Sequence, residues 1–86
     1  MIDVREVDEY REAHVPGAIL IPLVDLRSRL TEVPGGPVLV ICRSGNRSQR
    51  GCELLASHGI EAANVTGGTL AWIESGRETV SGLERG

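Results

Sequence analysis

Hydrophobic positions fall along the chain in short apolar runs separated by stretches with helical spacing. Residues 2–4 form the first run and predict a short strand, and residues 7–14 follow as a short helix. At "HVPGA" the chain turns, with Pro16 fixing φ and Gly17 free to adopt a positive φ. The run "AILIP" (18–22) predicts a second strand, stopped at Pro22. Leu23, Leu26 and Leu30 recur at helical spacing and place a helix over 25–30, which enters the Pro/Gly loop "EVPGGPV" (32–38).

Residues 38–41 are apolar at every position and rich in β-branched side chains, the pattern of a strand buried on both faces of a parallel sheet. Ser48, Gly51, Cys52 and Leu55 form one stripe of a helix over 47–58, and Gly59 is its C-terminal stop. A weaker strand over 62–65, the turn "TGG" and a helix over 69–74 complete the pattern. Residues 76–86 predict a loosely tied tail. Strands alternating with helices through short connections predict an α/β fold with a parallel sheet, in one domain over residues 1–86.

Composition narrows this picture. The chain is 41% hydrophobic but has no phenylalanine, one tyrosine and one tryptophan, so its core is aliphatic. No apolar run is long enough to span a bilayer, so no membrane partner is expected. The N-terminus lacks a basic-then-apolar export pattern, and the default expectation is a cytoplasmic protein with reduced thiols. Its two cysteines make neither a disulfide framework nor a CxxC pair. Cys42, Cys52, His14 and His58 match no zinc spacing, and there is no GxGxxG or P-loop.

The net charge of −3 argues against nucleic acid as a partner. Its distribution is more informative. All nine basic residues are arginine, and Arg43, Arg47 and Arg50 crowd into a stretch free of acidic residues between Glu32 and Glu53. A focused positive field of this kind suits a small anion, although a solvated arginine face would read the same way.

Cys42 stands at the start of that patch, at the carboxyl end of the most buried strand, where parallel α/β sheets bind ligands. The backbone N–H groups of the following turn and the helix N-terminus converge on one spot and favour negative charge. A thiol there ionises more readily, and the thiolate is the reactive form. From the residues alone, Cys42 is either such a nucleophile or the last core residue of its strand. Cys52, on the buried helical stripe beside Gly51, reads as packing.

Three segments together resemble the rhodanese superfamily of sulfurtransferase domains. "DVREVDEYREAHVPGA" (3–18) is similar to its N-terminal signature, "VLVICRSGNRS" (38–48) to its active-site strand and loop, and "NVTGGTLAWIESG" (64–76) to its C-terminal signature. Order and separation agree, and the resemblance covers essentially the whole chain. It implies a three-layer fold, a central and mainly parallel sheet with helices on both sides. It also implies that Cys42 is catalytic: it takes a sulfane sulfur from an anionic donor such as thiosulfate or a persulfide, carries it as a persulfide, and passes it to cyanide, a thiol or an acceptor protein. Arg43, Ser44, Gly45, Asn46 and Arg47 are then the substrate-binding loop, and the resemblance implies no metal and no organic cofactor. An alternative within the same resemblance is a persulfide carrier or sensor that delivers sulfur to a partner protein with little small-molecule turnover.

Loop length separates chemistries in such folds. Related phosphatases have Cys-x5-Arg, whereas Cys42 and Arg47 form the shorter Cys-x4-Arg, which favours one sulfur atom over a phosphate. The remaining signature residues receive structural readings: Asp3 and Arg5 fix neighbouring loops, His14 stabilises its turn by hydrogen bonding, Gly67 and Gly68 allow a tight turn beside the loop, and Trp72 packs. Family members usually carry a helix and a strand before the Asp-Val-Arg strand; this chain starts almost at that strand, so one sheet edge is expected to lack its usual cover, and an uncovered edge invites pairing or dimerisation.

Overall fold

The computed structural model describes all 86 residues. Its elements are β1 (Ile2–Asp3), α1 (Val7–Glu12), β2 (Ile19–Leu20), α2 (Leu23–Leu26), a 3₁₀ segment (Arg27–Glu32), β3 (Val38–Ile41), α3 (Asn46–Ser57), β4 (Ala62–Asn64) and α4 (Gly68–Glu74). The four strands form one parallel sheet in the order β2-β1-β3-β4. Side-chain alternation then sorts the core into two layers. Ile2, Val4, Val38 and Val40 face Leu26 of α2 and Leu55 of α3, while Ile41 on the opposite face meets Tyr10 of α1, Val15 and Ala18. Helices therefore cover both faces of the sheet. No helix is long and apolar enough to cross a membrane.

Three expectations change. The helix over 25–30 begins earlier and tightens into a 3₁₀ segment, because Arg29 leaves helical φ/ψ and its guanidinium turns to Glu32 and the Leu20 carbonyl. Strand β3 is not buried on both faces along its length: Leu39 is 49% exposed. Its neighbours across the sheet are Met1 and Ala63, and the α1–α4 layer covers Ile41 but does not extend over this end.

The third change concerns residues 76–86, which are not a loose tail. Val80 and His14 exchange both backbone hydrogen bonds at 2.9 Å, Gly82 N–H donates to the Arg11 carbonyl, and Ser81 donates to the Glu12 carbonyl. His14 is fully buried and stacks on Tyr10, its ring nitrogens 2.8 Å from the Tyr10 and Glu84 carbonyl oxygens. The turn after α1 has backbone groups that need partners, and the C-terminal segment supplies them.

Candidate active site

Alternation along β3 carries Cys42 to the α3 side of the sheet, and the chain then climbs over it through Arg43 and Ser44 to Gly45. Gly45 precedes α3 with a φ of 117°, a conformation open to glycine, and this bends the loop back over the cysteine. As a result the Gly45 N–H points at Cys42 Sγ at 3.0 Å. Ser48, in the first turn of α3, places its hydroxyl oxygen 3.2 Å from the same sulfur. Ser48 is itself fully buried and donates to Asn64 Oδ1 at 2.5 Å. Asn64 Nδ2 in turn donates to the Gly45 carbonyl at 3.0 Å, which closes a ring of hydrogen bonds around the sulfur.

The electrostatics of Cys42 follow from this ring. Burial, with only 1% of the residue exposed, pushes the thiol up. The Ser48 hydroxyl and the amides of Ser48, Gly45 and Ser44 push it down, and together they prevail, so Cys42 is more acidic than an ordinary thiol. Cys52 lacks such donors: burial and the neighbouring Glu53 push it above the ordinary range, and it packs half-buried against the aliphatic core.

The residues singled out in the loop do not act alike. Gly45 turns its amide toward the sulfur, and the Ser44 amide also favours the ionised thiol. Asn46 is exposed at the first position of α3. Arg43 is exposed and lines a cleft of about 270 Å³ together with Arg5, Glu9, Glu12, Thr69, Leu70 and Ile73. Arg47, expected to serve a bound anion, is held by Glu9 through two bonds of 2.7 and 2.8 Å. Beside that guanidinium the Glu9 carboxyl is lowered to about 2, and Glu9 also accepts the Glu6 N–H that starts α1. Much of the Arg47 charge is thus spent on pinning α3 to α1, and Arg43 is the loop arginine left without an ion pair.

The backbone under Cys42 is clamped from α4. Thr69 donates both its N–H and its hydroxyl to the Cys42 carbonyl, at 2.8 and 3.0 Å, and Leu70 N–H donates to the Arg43 carbonyl. This requires α4 to approach closely at Gly68, where φ is 62° and a Cβ would stand 2.6 Å from the Cys42 oxygen. Two residues beyond β1, Arg5 grips the buried Asp3 carboxylate and reaches the Ala13 carbonyl at 2.8 Å, holding the turn after α1. Trp72 is half-buried and donates from Nε1 to the Glu78 carbonyl. His, Cys, Asp and Glu side chains form no cluster of three or more suited to a metal ion.

Sequence reasoning missed three contributors. Ser48 reads as one more small residue on the apolar stripe of α3, although a hydroxyl on such a stripe, one turn from a candidate nucleophile, is a signal that can be read. Glu9 pairs with Arg47 across 38 positions, and Asn64 reaches Ser48 across 16, separations that no local pattern encodes.

The family model described as the rhodanese-like domain matches residues 1–75. Among curated relatives, YtwF of Bacillus subtilis (strain 168), described as a candidate sulfurtransferase, is 38% identical over 73 residues, 84% of this chain and 71% of its own length. YrkF of the same organism, described as a candidate sulfur carrier, is 35% identical over 74 residues; the match takes in 84% of this chain but spans only 40% of YrkF. The crystal structure of a rhodanese-related protein from Thermoplasma volcanium superposes with a TM-score of 0.87 at 36% identity, covering 96% of this chain and 82% of the other.

Proposed function

The chain belongs to the rhodanese-like domain family, and from that premise we propose that it is a sulfurtransferase in which Cys42 carries the sulfur. The observation that bears most weight is that one buried sulfur receives the Gly45 N–H at 3.0 Å and stands 3.2 Å from the Ser48 hydroxyl. In the first half-reaction the Cys42 thiolate attacks the sulfane sulfur of a donor. The donor's S–S bond breaks, its electron pair leaves with the departing group (sulfite, when the donor is thiosulfate), and Cys42 becomes a persulfide. The negative charge moves to the outer sulfur, where amides that favour a thiolate favour a persulfide equally. In the second half-reaction cyanide or a thiol attacks the outer sulfur, and the Cys42 thiolate departs.

Access favours small donors, since Cys42 is almost sealed from solvent. Exposed Arg43 supplies the positive charge that draws an anion to the loop. The test is formation of thiocyanate from thiosulfate and cyanide. Turnover that depends on Cys42 supports the enzyme; a Cys42 persulfide that forms but passes slowly to cyanide and rapidly to a protein thiol identifies a carrier instead.

A further inference from the structure

One hydroxyl proton in the ring around Cys42 has two claimants. Ser48 Oγ lies 3.2 Å from Cys42 Sγ and 2.5 Å from Asn64 Oδ1, and a serine hydroxyl has a single hydrogen to give. Asn64 cannot exchange its ends to relieve this, because Nδ2 already donates to the Gly45 carbonyl at 3.0 Å and faces Gln49 Oε1 at 3.5 Å. Its Oδ1 therefore faces Ser48 as a fixed acceptor. Two arrangements are possible. With Cys42 as a thiol, the S–H donates to Ser48 Oγ and the Ser48 hydroxyl donates to Asn64. With Cys42 as a thiolate, the Ser48 hydroxyl must turn to the sulfur, and Asn64 Oδ1 loses its donor.

We infer that Asn64 is a positioning residue for Cys42: by holding the Ser48 hydroxyl it stabilises the resting thiol, and it releases that hydroxyl only when the sulfur bears charge. The inference rests on Cys42 being the reacting group in the function proposed above, and it gives each half-reaction a matching hydrogen-bond state. When the persulfide forms, charge leaves Sγ for the outer sulfur, and the Ser48 hydroxyl returns to Asn64. No proton leaves Ser48 at any step; its O–H bond only rotates. The surrounding charges stay constant through this change. Arg47 of α3 is paired with Glu9 of α1, Arg43 is in solvent, and Asp3 and Arg5 at the end of β1 pair with each other. None of them touches Asn64.

The test is a thiolate titration by ultraviolet absorbance in Cys52→Ser protein, where Cys42 is the sole thiol. Four proteins are compared: this parent, Asn64→Leu, Ser48→Ala and the double variant. In the parent background Asn64→Leu frees the hydroxyl for the thiolate but also loosens Gly45; in the Ser48→Ala background only the loosening remains. The expected result is that Asn64→Leu moves the midpoint to lower pH in the first background relative to the second, by about half a unit or more, or about threefold in thiolate fraction. Equal shifts in both backgrounds, or a relative shift to higher pH, overturn the inference. Should circular dichroism show Asn64→Leu unfolded, Asn64→Ala asks the same question in a strand that already holds Ala62 and Ala63. The titration needs no sulfur donor, so a protein that shows the coupling yet transfers no sulfur leaves this inference standing and removes only the function.

Discussion

Cys42 and Cys52 pack against the same aliphatic core, Cys42 just ahead of α3 and Cys52 within it, yet they are shifted in opposite directions. Burial pushes both thiols up. Only Cys42 has the loop before α3 folded over it, with the Gly45 N–H pointing at the sulfur and the Ser48 hydroxyl beside it. Cys52 lies further along α3, where the backbone N–H groups are used within the helix and the nearest charge is Glu53. Burial alone thus makes a thiol less acidic, and donors around a buried sulfur can reverse that shift.

The comparison breaks most visibly through the glycines that stand beside each thiol. At Gly68, under the Cys42 loop, Gly68→Ala forces a Cβ to within 2.5 Å of the Arg43 oxygen at a φ of 62°. Urea unfolding is expected to show a loss of about 2–4 kcal/mol, with the loop displaced. At Gly51, next to Cys52, a Cβ meets Val40 at 3.4 Å and Leu26 and Val4 at 3.6 Å, ordinary contact distances. Gly51→Ala is expected to change stability by about 1 kcal/mol or less, because better helix propensity offsets the tight fit. Comparable losses at the two sites would mean that the Cys42 loop does not depend on the close approach of α4.

Removing a donor sharpens the contrast further. Alkylation followed against pH is expected to show the Cys42 midpoint below the ordinary thiol value of 9.0 and the Cys52 midpoint above it. Ser48→Ala is expected to raise the Cys42 midpoint by about one unit, a hydrogen bond to a charged group being worth about 1.5–3 kcal/mol before the buried site readjusts. The Cys52 profile is expected not to move. A Ser48→Ala protein whose Cys42 profile equals that of the parent would assign the shift to the backbone amides alone.

The smallest expected effect is electrostatic and concerns the frame around Cys42. Glu9 is lowered from 4.5 to about 2 by Arg47. A depressed carboxyl contributes stability that is complete above its unfolded value and lost as pH falls through the folded one, here between about 4.5 and 2. Glu9→Gln is expected to flatten that part of the acid unfolding curve and to leave the curve above pH 6 little changed in shape. Equal acid sensitivity with and without Glu9 would show that its ion pair does not hold α1 to α3.

Much of the fold was legible because its signals are local. The apolar run at β3, the stripe of α3 and the glycine stops each specify an element within a dozen residues, and the alternation of elements leads to the parallel sheet that is observed. Leu39 was misread because a run of apolar residues reports hydrophobicity and not whether the α1–α4 layer reaches that far along the sheet. The C-terminal segment was misread because its polar composition conceals backbone partners on the turn after α1. At the site, Cys42 and its loop are contiguous and were singled out together. Asn64 and Glu9 escaped notice because their contacts with Ser48 and Arg47 exist only once the sheet has brought β4 and α1 alongside α3.

The central claim, that Cys42 and not Cys52 carries sulfur, is tested most directly by intact-mass analysis after exposure to thiosulfate, followed by reduction with a thiol. The parent protein and Cys52→Ser are expected to gain the mass of one sulfur atom, lost again on reduction, and Cys42→Ser to gain none. Sulfur appearing on Cys42→Ser, or absent from Cys52→Ser while the parent loads, would contradict the account.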